Sequence, residues 1–142
     1  MNDCGADYIS DFTYFGYPST YMMSEDRLFH IFNGVDMKYG NSSRNYLVIE
    51  IADGIFQRET SMLLKMSEVR KRIHKLVFCA PDATAVFGGL SALKDTFNLV
   101  PDAISGVCSS SPLAIREISG FTDIPILQSL KKDYCKIFNI IK

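Results

Sequence analysis

The chain has 142 residues, 47% hydrophobic and 22% charged, with 15 Lys and Arg against 16 Asp and Glu for a formal charge of −1. That balance excludes the disordered and fibrous classes and gives no electrostatic basis for nucleic acid or an anionic membrane as the main partner. A chain near this size buries roughly 68–70% of its unfolded surface, so a single domain over residues 1–142 is expected to build its core without disulfides or a structural metal.

Tyr8-Ile9-Ser10-Asp11-Phe12-Thr13 alternates apolar and polar residues and predicts a short strand, broken by Gly16 and Pro18. Ser24 is a good N-cap, Glu25 and Asp26 suit the positive end of a helix, and Leu28, Ile31, Phe32 and Val35 fall on one helical stripe. Tyr39-Gly40-Asn41-Ser42-Ser43 reads as a polar turn. The near-continuous apolar run Tyr46-Leu47-Val48-Ile49-Glu50-Ile51 then predicts a strand covered on both faces, the pattern of a parallel sheet. A helix from about Thr60 carries Met62, Met66, Val69 and Ile73 on one stripe, with Lys65, Arg70 and Lys71 outside it.

Leu76-Val77-Phe78-Cys79 predicts the next strand, and Val86, Leu90, Leu93 and Phe97 a helix whose Gly88-Gly89 delays its start, bends it, or admits a close neighbour. Ala103–Val107 reads as a strand, Ser111-Pro112 as N-cap and first residue of a helix to Ile118, and Ile124-Pro125-Ile126-Leu127 as a last strand. Leu130, Tyr134, Ile137 and Ile141 line a terminal helix. Strands and helices alternate about five times with short connections. The fold class expected is therefore α/β: a three-layer, mostly parallel sheet of about five strands with helices on both faces.

In such sheets ligands bind beyond the carboxyl ends of the strands. The densest polar segment there is Glu50-Ile51-Ala52-Asp53-Gly54-Ile55-Phe56-Gln57-Arg58-Glu59-Thr60. A carboxylate at a strand end can hold Mg²⁺, and an Arg beside it can neutralise phosphate oxygens. The plainer alternative is a strand–turn–helix junction in which Thr60 or Glu59 caps the helix and Arg58 pairs with Glu50. A second cluster, Asp11 to Tyr21, interleaves an acid, Thr13, Ser19 and Thr20 with aromatics; either Asp11 faces a ligand together with Glu50, or the segment is a self-satisfied loop. Ser109-Ser110-Ser111 resembles an anion-binding helix start but is more simply a cap.

Cys4, Cys79, Cys108 and Cys135 are scattered without CxxC spacing, and His30 and His74 have no second ligand at i+4, so free thiols of a reducing compartment are expected and a metal role for the histidines is not. The apolar runs are shorter than a membrane span and the first residues are unlike a signal peptide, so a cytoplasmic location is expected. GxSxG, HExxH and GxGxxG do not occur.

At Leu47-Val48-Ile49-Glu50-Ile51-Ala52-Asp53-Gly54 the chain resembles the second half of the P-loop NTPases of the dethiobiotin synthetase, cobyrinic acid synthase and molybdopterin-guanine dinucleotide biosynthesis group. The resemblance continues through the strand at 76–79, through Ala103-Ile104-Ser105-Gly106-Val107 and through Asp123-Ile124-Pro125-Ile126-Leu127, covering about residues 45–128. It implies ATP- and Mg²⁺-dependent ligation or phosphoryl transfer to a small molecule. Asp11 and Glu50 would hold Mg²⁺, Asp53 and Arg58 would contact phosphate or substrate with Glu50 in the catalytic set, and Ser19, Thr20 and Gln57 would bind substrate. The phosphate-loop signature GxxxxGK[ST] is absent from these residues, which implies a partial domain completed by a missing N-terminal half or a partner subunit. A sheet edge left open in this way favours a homo-oligomer or another partner chain. The competing expectation is a non-catalytic interaction module that has lost the nucleotide site.

Overall fold

The computed structural model describes residues 5–40, 46–128 and 134–141; Cys4, Asn41 to Ser43, Leu130 and the Lys131-Lys132 pair lie outside them. The chain is mostly helical, in the order α1 (Glu25–Tyr39), α2 (Arg58–Lys65), α3 (Ser67–Arg70), β1 (Val77–Cys79), α4 (Ala83–Phe97), β2 (Ala103–Ser105), α5 (Pro112–Ile118) and α6 (Tyr134–Ile141), with 3₁₀ turns at Phe12–Phe15 and Val107–Ser110. Its contacts divide it into two units, Met1–Lys71 and Arg72–Lys142.

The three-layer sheet of about five strands is not formed. Among the described residues only β1 and β2 make a ladder, parallel and pairing Val77 with Ala103, Phe78 with Ile104 and Cys79 with Ser105. The expected strand at Tyr8–Thr13 fails for a local reason. Asp11 turns its carboxylate onto the Thr13 N–H (2.8 Å) and hydroxyl (2.6 Å), a side-chain alternative to a ladder that starts the 3₁₀ turn closed by left-handed Gly16. Tyr46–Ile51 lies outside every helix, turn and ladder, and its backbone makes no hydrogen bond to another described residue. The last expected strand contracts to one parallel bridge, Ile104 to Ile126, because Pro125 has no N–H to donate.

In the first unit, α1 begins where the sequence places it, although the Ser24 side chain makes no capping bond. Leu28 on α1 is buried, as are Met23, Leu64, Met66 and Val69. The helix expected from Thr60 is two helices, broken at Met66, where ψ is 124°. Arg70 bridges the break: its guanidinium donates to the carbonyls of Leu64 (3.0 Å) and Lys65 (2.6 Å), which the end of α2 leaves without helical partners.

The second unit is a β1–α4–β2–α5 run around Ala80, Val86, Ile104, Cys108, Ile118 and Ile126. Asp82 caps α4 by accepting from the Ala85 N–H (2.7 Å), and Ser111 caps α5 by accepting from the Ala114 N–H (3.3 Å), with Pro112 in the first position. Gly106, at φ 94°, lets the chain leaving β2 pass the Ala80 backbone so closely that a Cβ would lie 2.7 Å from the Ala80 carbonyl oxygen. The glycine pair of α4 is asymmetric. Gly88 faces open space, whereas a Cβ on Gly89 would overlap the Phe78 ring, so close strand–helix packing is the reason for the second glycine alone.

The two positions therefore respond oppositely. Gly88→Ala should raise stability by about 0.5–1 kcal/mol through lower unfolded-state entropy. In Gly89→Ala the same gain is opposed by an overpacking cost of about 1–3 kcal/mol, so the net effect should be destabilising. Urea titration of the two single variants checks the difference in sign.

Candidate functional site

Two polar residues of the 50–60 segment, Gln57 and Arg58, converge on Glu59. The start of α2 packs against the turn that precedes α1, and Glu59, only 4% exposed, is the acid at that junction. Its Oε1 accepts from the Met22 N–H (2.8 Å) and from the Arg58 guanidinium (2.6 Å), and its Oε2 accepts from the Gln57 amide. Arg58 also donates to the Met23 carbonyl at 2.9 Å. Gln57 is the N-cap, its Oε1 accepting from the Thr60 N–H (2.9 Å), while the buried Thr60 hydroxyl donates to the Ala52 carbonyl (3.1 Å).

Burial pushes the Glu59 carboxyl up; the Arg58 guanidinium, its own backbone N–H, Gln57 and the Met22 N–H together outweigh this and hold it below the usual glutamate range. The partners also hold the turn in an uncommon conformation. Met22 has φ 57°, a left-handed geometry that costs a non-glycine residue about 1–2 kcal/mol and persists here under the Glu59 hydrogen bond.

Four of the expected site residues are thus neighbours in sequence or through this junction. Gln57 and Arg58 hold Glu59 directly. Thr20 accepts the Met23 N–H (3.2 Å), and Ser19 Oγ accepts the Tyr21 N–H (3.0 Å), so both shape the turn that Glu59 grips. The other three stand apart. Asp11 is exposed and caps its own turn, the Thr13 hydroxyl and N–H holding its carboxyl below the usual aspartate range. Glu50 is exposed, and Asp53 is exposed with a left-handed φ of 66°. None of the three shares a hydrogen bond or ion pair with another or with Glu59 among the described residues. Among those residues no group of three or more His, Cys, Asp or Glu is arranged to hold a metal ion.

Of the plainer alternatives, the junction reading has the right elements with different partners: Gln57 is the cap and Arg58 pairs with Glu59 instead of Glu50. Glu59 itself was visible in sequence only as one acid among several. No local signal set it apart from Glu50 and Asp53, because its burial comes from packing against the turn before α1. Ser109 is buried with its hydroxyl on the Gly106 carbonyl (2.7 Å), and Ser111 serves as a cap. Cys79, Cys108 and Cys135 are unbridged, and burial pushes the Cys108 thiol up.

Two shallow clefts were not legible in the sequence. One of about 190 Å³ is lined by Glu25, Asp26, Phe29, Met66 and Glu68 in the first unit. The other, of about 220 Å³, is lined by Ala83, Thr84, Phe87 and Phe121 in the second, with the two rings edge to face at 5.4 Å. Neither contains an expected site residue. No helix among the described residues is long and apolar enough to cross a membrane.

The depressed Glu59 carboxyl fixes the sign of a pH effect. Its contribution to stability is present above the unfolded-state value of about 4.3 and is lost as pH falls through the lower folded-state value. Glu59→Gln should therefore be less stable than the parent at pH 7, and the gap should close towards pH 3. Urea midpoints of the two proteins across that range provide the check; a gap independent of pH would remove the ionised carboxylate from the account.

Comparison of the chain with protein-family models, with curated proteins and with solved structures finds no match, so the reading of its function rests on the geometry above.

Proposed function

We propose that the chain is an interaction module that binds a partner chain by adding residues 46–51 to it as a β-strand. The observation that carries this reading is the state of that segment. Tyr46-Leu47-Val48-Ile49-Glu50-Ile51 has the composition of a strand, yet forms no ladder and offers its backbone groups without a described partner. Tyr46, Val48 and Ile49 are 69%, 89% and 42% exposed. Exposed apolar side chains beside unpaired N–H and C=O groups are what strand addition uses: the backbone supplies affinity and alternate side chains supply specificity.

The junction around Glu59 supports the same reading. Gln57, Arg58 and Thr60 are engaged in holding α2 to the preceding turn, and Asp11 in capping, which is a scaffold's use of these groups. A second reading, a partial nucleotide-binding domain that handles ATP and Mg²⁺ once completed by another chain, has one observation in its favour. β1, β2 and Ile126 are parallel and follow the order implied by the resemblance to the P-loop group. Calorimetric titration with ATP separates the two: saturable, Mg²⁺-dependent heat that Glu50→Gln removes would favour the nucleotide reading.

Val48→Pro removes one N–H and disfavours pairing at a site that is almost wholly exposed, so the fold should keep its stability to within about 0.5 kcal/mol. Isolated from its native cells under mild conditions, the parent chain should run as part of a defined assembly and the Val48→Pro chain alone. The same assembly in both preparations would overturn strand addition at this segment.

A further inference from the structure

We propose that Asp53-Gly54 is a site of spontaneous chain isomerisation, at which the peptide link moves from the α-carboxyl to the β-carboxyl of Asp53 through a cyclic imide. The reaction needs no reagent other than water. The Gly54 nitrogen bonds to the side-chain carboxyl carbon of Asp53, its proton and the carboxyl hydroxyl leave together as water, and a five-membered imide closes. Water then adds to an imide carbonyl. Opening at the α-carbonyl frees an α-carboxylate and leaves the chain running through the side chain, as isoaspartate.

Three features of the structure favour ring closure at this pair. Gly54 has no side chain to obstruct the approach of its nitrogen, and both residues are exposed. Among the described residues neither the N–H and C=O of Asp53 nor the N–H of Gly54 makes a backbone hydrogen bond, so the bond between them turns without breaking one. Asp53 also has φ 66°, a conformation unfavourable for a residue with a Cβ, and moving the link into the side chain removes that constraint.

The sequence alone points to a different pair. Asparagine loses ammonia more readily than aspartate loses water, so Asn33-Gly34 is the first site to cyclise in an unfolded chain. In the folded chain both of those residues lie inside α1, where the helix engages the Gly34 N–H and fixes the torsions on either side. The Phe15 ring lies so close over Gly34 that a Cβ there would overlap it, which holds this turn of the helix in place. Folding therefore inverts the order of the two sites.

The extra main-chain methylene of isoaspartate would fall between two anchors. The Ala52 carbonyl accepts the Thr60 hydroxyl (3.1 Å), and the Gly54 carbonyl accepts the Gln57 N–H (2.9 Å). Isomerisation thus lengthens the chain at the point where it is tied to the start of α2.

The test is to hold the chain for several weeks at physiological temperature and pH, both folded and in guanidinium chloride. The tryptic peptides 28–38 and 45–58 are then scored for isoaspartate by electron-transfer fragmentation. In the folded chain isoaspartate at position 53 should exceed that at position 33 at least fivefold, and in guanidinium chloride the order should reverse. Gly54→Val, where an added Cβ meets nothing within 4 Å, should slow conversion at position 53 tenfold or more, and Asp53→Asn should speed it by a similar factor. A folded chain that reacts first at position 33 overturns the proposal. So does a position 53 that reacts only in guanidinium chloride, or one whose yield Gly54→Val leaves unchanged.

Discussion

A carboxylate taken out of water has to find donors, and in the first unit that requirement organises everything near it. Glu59 is nearly inaccessible, so it needs Arg58, Gln57 and the Met22 N–H; Gln57 must then be the N-cap of α2, and the turn before α1 must present its backbone to α2. The same rule explains Arg70, whose guanidinium completes carbonyls at a helix end, and Asp11, which completes the start of a 3₁₀ turn. Polar side chains that read as chemistry in the sequence are here the means by which short helices are finished.

The second unit obeys a different constraint, close backbone approach. Gly106 allows the exit from β2 to cross over Ala80, Cys108 then donates its N–H to the Ala80 carbonyl (3.1 Å), and Gly89 admits the Phe78 ring against α4. Three contacts of this kind let a two-strand ladder and two helices share one core without a larger sheet. An Asp102 carboxylate that accepts the Leu76 N–H (2.8 Å) fixes the start of β1 beside β2.

Local signals in the sequence were legible where one element satisfies itself. The Pro112 start and Ile118 end of α5, the stripe of α4, and the positions of β1 and β2 all follow from capping and periodicity. What failed were inferences that need a distant partner. Tyr46–Ile51 has strand composition, but a strand is made by its neighbour, and composition does not say which neighbour is present. Tyr8–Thr13 had the right alternation, and the two hydrogen bonds from Thr13 to Asp11 overruled it within two residues. For the candidate site, Gln57 and Arg58 were found by type and position, while Glu59, the group they serve, was indistinguishable from its neighbours because burial is not written in a single residue's identity. Asp11, Glu50 and Asp53 were grouped by a sheet that the chain does not form.

The left-handed backbone at Met22 has a consequence for how such chains diverge. Glycine would occupy φ 57° without strain, so a methionine there is tolerated only while the Glu59 carboxylate grips its N–H. Positions 22 and 59 are therefore one unit of variation: a lineage that loses the acid at 59 is under pressure to place Gly or Asn at 22, and a lineage with Gly at 22 is free to lose the acid. Joint substitution at these two sites, 37 residues apart in sequence, is the trace this junction would leave in related chains.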